Sequence, residues 1–374
     1  EKVAVIPAVV LAALCTFTGC KKEEVEKVIA PLVSDGQTTE STEEAQEEKD
    51  PLIPEIDTSV ELQAGSRVAV VSKSTSGEFW GLVKKGMEQA IADVNEAYGF
   101  KKEDQVTMTF EGASDEKDVE SQVNTIDAVI AENPDVLCVS ASDMDSLQAQ
   151  LEAAKENGIP VVAFDSGVTD SKMVRAFRGT DNTRVGEIAA YRLATAIGKM
   201  GKVAVFSAQE KTQSIQERVS GFTNYITNYP DIEVVEIVYQ DQVDDMTAAM
   251  QEVLDKYPQL DGVFCDNADI ADLYLDMKKD ETKDSIVMVG VDATAKQQEA
   301  IRNGKEVGVV SQQPYAMGYQ TIWTALLTTA PKKSVESSGM CVSTRHGLIP
   351  QTLMILHTVL ICMQIEIAFI RGTS

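Results

Sequence analysis

The strongest constraint on this chain is that its middle runs through a series of strands and helices and then through a second series in the same order. Arg67-Val-Ala-Val-Val-Ser72 is a short β-branched run suited to a buried strand. Behind it Phe79, Leu82, Val83, Ala90, Ile91, Val94 and Ala97 recur at three- and four-residue spacings up to Gly99, which predicts a helix with a glycine stop. Strand-like 106–110, helical 119–131, a strand at 135–140, a helix at 145–156 closed by Asn157-Gly158 and a strand at 160–165 follow. The second series opens at Lys202-Val-Ala-Val-Phe-Ser207. It continues with a helix at 216–228, a strand at 233–239, a helix at 247–257, a strand at 262–265, a helix at 270–277 and a strand at 286–292. Landmarks repeat at one offset: Cys138 and Cys265 are 127 positions apart, and so are Asp165 and Asp292. Alternation of this kind predicts an α/β architecture of two doubly wound parallel-sheet lobes with helices on both faces. In such sheets ligands bind beyond the carboxyl ends of the strands. Cys138 and Cys265 fall inside strand cores of different lobes and are expected to be buried thiols rather than a disulfide.

Charge narrows the function classes. Of 374 residues, 33 are Lys or Arg and 59 are Asp or Glu, a net charge of −26, so a phosphate backbone meets a repelling field and no nucleic-acid partner is expected. Two histidines leave little for a histidine-based metal site or proton relay, and neither a metal nor a cofactor is predicted. The body holds no Gly-rich phosphate loop, no Gly-x-Ser-x-Gly elbow and no metal-spaced His/Cys cluster, which argues against an enzyme.

The two ends differ from the body. Residues 3–14 form an apolar run behind Lys2, the core of a signal peptide, and the run leads to Phe17-Thr18-Gly19-Cys20. This resembles a bacterial lipobox and makes Cys20 the expected lipidation site, with 1–20 as the leader. Residues 21–66 carry four Lys against thirteen Asp or Glu amid Ser, Thr, Gln and Pro, and are expected to form a disordered acidic tether. Together these place a folded body outside a bacterial membrane, held by a lipid anchor at the extracellular face of the cell, or in the periplasm of a Gram-negative species. From 337 to 374 the composition changes again: both histidines, two of the six cysteines and a single acid, Glu366, lie here. This tail reads as a shifted-frame or artefactual terminus, with a poor C-terminal membrane helix as the alternative, since Pro350, Gln351, His357, Gln364 and Glu366 interrupt the apolar run.

Seven segments carry a resemblance in order: Val70-Val-Ser-Lys-Ser-Thr-Ser-Gly-Glu-Phe-Trp80, Gly158-Ile-Pro-Val-Val-Ala-Phe-Asp165, Gly179-Thr-Asp-Asn-Thr-Arg-Val-Gly186, Gln216-Glu-Arg-Val-Ser-Gly-Phe222, Val263-Phe-Cys-Asp-Asn267, Val289-Gly-Val-Asp292 and Ser311-Gln-Gln-Pro314. Over roughly 67–329 the chain resembles the ribose-type family of periplasmic sugar-binding proteins, the substrate receptors of bacterial ABC importers. The resemblance implies the type I periplasmic binding protein-like fold, its lobes joined by a hinge. It assigns 67–180 plus 313–336 to the N-terminal lobe and 181–312 to the C-terminal lobe, with crossings near Thr180-Asp181 and Gln312-Gln313 and a third in the tail.

The function it implies is closure of the two lobes around a monosaccharide that is handed to ABC permease subunits by a monomeric receptor. The alternative is a signalling receptor of the same fold that reads a sugar-like messenger for a membrane sensor. Phe79 and Trp80 match the family's aromatic pair at the first helix, and at least one of them is assigned to stacking on sugar C–H faces; the alternative is that both belong to the helix core face, since Phe79 fits its apolar stripe. Asp165 and Asp292 are expected to grip hydroxyls from opposite lobes, Arg218 to fork onto a ring oxygen or hydroxyl, and Asn267 and Gln312 to donate and accept through their amides. Asp181 stands at the hinge, where it binds ligand or caps the next helix. Lys73 and Asp241, where the family has other residues, complete the candidate set and leave the identity of the sugar open.

Overall fold

Each of the two series builds its own sheet. The computed structural model describes residues 52–278 and 285–331, all within one compact unit. The expected leader, Cys20, the tether up to residue 51 and the atypical tail lie outside the described residues.

In the first lobe the strands are β1 (Arg67–Ser74), β2 (Thr107–Ala113), β3 (Val136–Val139), β4 (Val161–Phe164) and β5 (Ala176–Arg178), in the order β2-β1-β3-β4-β5. In the second they are β6 (Gly201–Ser207), β7 (Ile232–Tyr239), β8 (Gly262–Cys265), β9 (Val287–Val291) and β10 (Gly308–Val310), in the order β7-β6-β8-β9-β10. Every strand pairing within these sheets is parallel. Both sheets therefore share one doubly wound topology. In each, the order reverses beside the first strand, which leaves a crevice at the strands' carboxyl ends.

Parallel strands covered by helices on both faces are buried on both faces, which is why the 68–71 stretch of β1 and the whole of β3, β4 and β8 read as apolar runs rather than alternating ones. Alternation survives as a choice of side. Val68, Val70, Cys138, Val162 and Phe164 pack under helices α1 (Gly77–Tyr98) and α9 (Pro314–Thr329), against Trp80, Val83, Met87, Ile322 and Trp323. Ala69, Val71, Leu137 and Val139 face Ile126 and Val129 of α2 (Val119–Ala131) and Leu151 and Ala154 of α3 (Gln148–Glu156). Cys138 and Cys265 are both buried free thiols. Burial pushes both thiols well above their ordinary range.

Glycines let paired helices approach closely. A Cβ on Gly86 of α1 would lie 1.9 Å from the Tyr315 carbonyl oxygen at the start of α9, and one on Gly318 of α9 would lie 2.1 Å from that of Val83. The second lobe repeats the device between α4 (Asn182–Ala196) and α5 (Gln213–Ile226). There Gly186 faces the Arg218 carbonyl and Gly221 the Thr183 carbonyl, each at 2.1 Å. The remaining helices are α6 (Met246–Lys256), α7 (Ala268–Met277) and α8 (Ala295–Arg302). Among the described residues no helix is long and apolar enough to cross a membrane.

Residues 52–66 depart from the expected tether. Leu52 and Val60 are buried, Ile53, Ile56 and Leu62 pack on the first lobe's core, the Tyr98 hydroxyl donates to the carbonyl oxygens of Asp57 and Val60, and the Gln320 amide donates to Leu52 O. Five apolar side chains in fifteen residues supply enough buried surface to hold this segment, whereas the acid-rich composition averaged from residue 21 onward concealed it.

Candidate functional site

Between the carboxyl ends of the two sheets lies an open cleft whose empty space, solvent at its mouth included, is about 710 Å³. Its floor is set by two aspartates at corresponding places. Asp165 follows β4 and Asp292 follows β9, and both have backbones in the sparsely populated positive-φ region, at 57° and 93°. The turn directs each strand's end into the crevice. Asp165, 3% exposed, receives hydrogen bonds from the hydroxyls of Ser140 and Ser166, both at 3.0 Å, and the Lys73 ammonium at 3.0 Å. Asp292 accepts from Gln312 Nε2 at 2.5 Å and from the backbone N–H of Ala268 at 2.8 Å.

Lys73, from the end of β1, is nearly enclosed. Its ammonium also stands 3.4 Å from Glu116 and 5.6 Å from the centre of the Trp80 ring. Burial alone would lower its pKa, but Asp165 and Glu116 more than offset that, and the net direction is upward, so the side chain stays charged. Trp80 donates its indole N–H to Glu116 at 2.6 Å and meets Phe79 edge to face, with centroids 5.1 Å apart and planes at 88°. Trp80 is buried under the cleft wall while Phe79 is half-buried at its surface.

The second lobe contributes Arg218, 3% exposed on α5 and held by Asn182 Oδ1 at 2.8 Å and the Asp266 carbonyl at 2.7 Å. Its position depends on the α4–α5 contact that Gly186 and Gly221 permit. Beneath it, Asp266 is fully enclosed and accepts from the Ser207 hydroxyl and the Ala208 N–H. Burial pushes its pKa up to about 6 against these bonds. Asn267 caps α7, with Oδ1 accepting from the Ile270 N–H at 2.9 Å, and also lines the cleft. Gln312 lies at a crossing between lobes, where its Oε1 accepts from the Thr180 hydroxyl at 2.7 Å. The lobes also touch directly: Ser166 Oγ and Ser214 Oγ are 2.7 Å apart, Gly167 N–H donates to Gln213 Oε1, and Ala295 N–H donates to the Glu78 carboxylate at 3.1 Å.

Eight expected residues thus converge on one cleft: Lys73, Phe79, Trp80, Asp165, Arg218, Asn267, Asp292 and Gln312. Two do not. Asp181 is the N-cap of α4, its carboxylate accepting from the Arg184 N–H at 3.0 Å. Asp241 is exposed in the loop after β7 and accepts from the Glu210 N–H at 3.1 Å. Neither lines the cleft, and each carboxylate accepts from a nearby backbone N–H.

Glu78, Glu116, Asp269 and Asp272 also line the cleft and are absent from the expected set. Glu116 follows β2, and a rule restricted to loops at strand carboxyl ends would have found it. Among the described residues no group of His, Cys, Asp and Glu is arranged to hold a metal ion.

Comparison with known proteins identifies the family and the fold. The sequence model of the periplasmic binding protein domain matches residues 68–330. The ribose import binding protein of Bacillus subtilis is 27% identical over 203 residues, which cover 54% of this chain and 66% of that protein; the Escherichia coli protein of the same name is 25% identical, over 51% and 64%. The chain therefore spans slightly under two thirds of these relatives' length. A carbohydrate transporter solute-binding protein from Agrobacterium radiobacter, solved with D-arabinose, superimposes with a TM-score of 0.64 at 29% identity, covering 71% of this chain and 89% of that one. An ABC transporter solute-binding protein from Agrobacterium vitis with bound D-fucose gives 0.65 at 30%, with the same coverage. Members of the family are substrate-binding proteins, not enzymes, and the chain belongs to it, among the ribose-type periplasmic sugar-binding proteins.

Proposed function

We propose that the protein is an extracytoplasmic receptor that closes its two lobes around one monosaccharide and delivers it to an ABC importer. The observation that supports this most is the composition of the cleft: an aromatic edge from Phe79 and Trp80 beside carboxylates, amides and a guanidinium drawn from both lobes. A sugar presents a ring of hydroxyls around flat C–H faces, and this set matches both kinds of surface. In this reading Phe79 stacks on the sugar, Asp165 and Asp292 accept from hydroxyls on opposite sides, and Arg218, Asn267 and Gln312 donate. Lys73 acts by holding Asp165 and Glu116 in place. Ligand touching both lobes shifts the hinge toward the closed form, which the permease then recognises.

The lobes correspond to 67–180 with 313–336, and to 181–312. Cys20 carries the lipid that holds the monomeric receptor at the membrane. Permease and ATPase genes beside this gene would favour transport, and a sensor kinase gene there would favour the signalling alternative.

The test is a thermal-shift panel of pentoses and hexoses. A binding sugar raises the melting temperature with the logarithm of its excess, and the tryptophan fluorescence changes in parallel. A flat response to every sugar overturns the reading. Substituting Cys20 by Ser releases the protein from the membrane fraction if the anchor is real and leaves its distribution unchanged if it is not.

A further inference from the structure

Adjoining the cleft is a second open chamber between the lobes, about 590 Å³ with the solvent at its mouth included. Glu116, Asn267 and Asp269 line both spaces, so whatever occupies the first can reach into the second. The first lobe contributes Asp115 and Glu116, and the second contributes Gln209, Gln240 and Asp269. No Lys, Arg or His lines the chamber. Glu116 is already engaged by Lys73 and by the Trp80 indole, and Asp115 by Lys117 at 3.5 Å. The Asp269 carboxylate takes part in no hydrogen bond or ion pair among the described residues. Its surface is open to solvent, yet protein from both lobes surrounds it: that burial, followed by the charges of Glu116, Asp292, Asp272 and Asp115, pushes its pKa up to about 6. Gln209 points independently to a missing donor. The residue is 5% exposed, its Nε2 reaches Gln240 Oε1 at 3.4 Å, and its Oε1 is a buried acceptor with no partner.

We propose that this chamber receives a protonated amino substituent, making the preferred ligand an aminated monosaccharide rather than a neutral one. This deepens the monosaccharide reading above and rests on it. An ammonium brings three donors and a positive charge, where a hydroxyl brings one neutral donor. It meets the unengaged Asp269 carboxylate and the Gln209 acceptor together, and it relieves the repulsion among the surrounding acids. A metal ion is a poorer occupant, since no set of ligating side chains converges here among the described residues.

The experiment is calorimetric titration of the full chain with D-glucose and D-galactose, their amino-deoxy derivatives with the amine at carbon 1, 2, 3 or 6, and the N-acetylated form of each. At least one amino sugar is expected to bind about tenfold or more tightly than its parent, the difference between a charge-assisted and a neutral hydrogen bond, and N-acetylation should cancel the gain. Asp269→Asn, checked for folding by its melting curve, should bring the ratio of amino to parent sugar to within about threefold. If parent sugars bind and no amino sugar exceeds them, the inference fails and the monosaccharide reading stands. If the amino sugar's gain survives acetylation, the ammonium is not the group recognised and the inference fails as well. If nothing in the panel binds, both fall.

Discussion

Replacing Lys73 by Met tests whether the cleft floor is held by charge. The ammonium lies 3.0 Å from Asp165 and 3.4 Å from Glu116, with Lys73 and Asp165 side chains 5% and 3% exposed. At an effective dielectric of about 20, attraction across 3.0 Å amounts to roughly 5 to 6 kcal/mol, most of it offset by taking the groups out of water. Met keeps the apolar stem but leaves Asp165 with only the Ser140 and Ser166 hydroxyls. An uncompensated buried charge costs about 3–5 kcal/mol, and for a body of this size each kcal/mol moves the melting temperature by about 2–4 °C. The expected fall is therefore about 6–20 °C, read by circular dichroism without sugar. Because the folded-state pKa of Lys73 is raised above its ordinary 10.5, the stabilisation is fully present below that value and is lost only as pH rises through the folded value. The loss should thus be equal at pH 6 and pH 8. Adding Asp165→Asn to the Lys73→Met variant removes the stranded charge and should restore part of the stability, a coupling above about 1 kcal/mol. A single variant within about 3 °C of the parent, or strictly additive effects in the double variant, refutes the charge argument.

Asp266 should make the unliganded protein more stable in mild acid. Its folded pKa of about 6 lies above the ordinary 3.8, so its stabilisation is complete below about 3.8 and lost as pH rises through 6, an amount on the order of 3 kcal/mol. The stability difference between parent and Asp266→Asn should widen as pH drops from 7.5 to 4.5, and a constant difference counts against the assignment. Phe79→Ala should weaken sugar binding about tenfold with little loss of stability, whereas Trp80→Ala, in the core at 3% exposure, should lose about 3–5 kcal/mol of stability; equal behaviour of the two would contradict the division of labour. Gly221→Ala places a methyl 2.1 Å from the Thr183 carbonyl, so α4 and α5 must separate and carry Arg218 with them. It should lower the melting temperature and sugar affinity together, and an unchanged affinity would show that Arg218 does not depend on that contact.

The strands were legible because helices cover both faces of each sheet and leave runs such as Val68–Ala69–Val70–Val71, and the amphipathic helices α1 and α2 were legible from spacing. Helix α9 was not. Eleven of its sixteen residues are buried, so it lacks the polar face that gives a helix its period. Edge strands β5 and β10 hold three residues each, too few for any pattern. In the site, Asp165 and Asp292 could be read because the 127-residue offset put both at strand ends, and Phe79-Trp80 because they match the aromatic pair of the family that the chain resembles. Asp181, for which capping was one of the two expected roles, and Asp241 lie outside the lining for a local reason: an aspartate beside unpaired backbone N–H groups looks the same in sequence whether it serves them or a ligand. Glu116 and Asp269 were hidden among 59 acids, most of which a solvated surface explains.

The repeated architecture also explains why the cleft is not symmetric. Asp165 and Asp292 occupy the same place in each lobe and share a positive-φ backbone, so the fold supplies two carboxylates regardless of what surrounds them. Their neutralisation differs. Asp165 faces a buried ammonium, while Asp292 is met only by an amide and a backbone N–H. The Lys73 charge is shared with Glu116, and Arg218 points its Nε and Nη1 at Asn182 and the Asp266 carbonyl rather than at a carboxylate. Two cations therefore stand against six lining carboxylates, Glu78, Glu116, Asp165, Asp269, Asp272 and Asp292. The excess negative charge lies toward the second lobe and the mouth, where Asp269 and Asp272 have raised pKa values. A cleft with this field favours hydroxyl and ammonium donors and opposes phosphorylated or acidic sugars through unpaired like charge, so exclusion is built into the same residues that would bind.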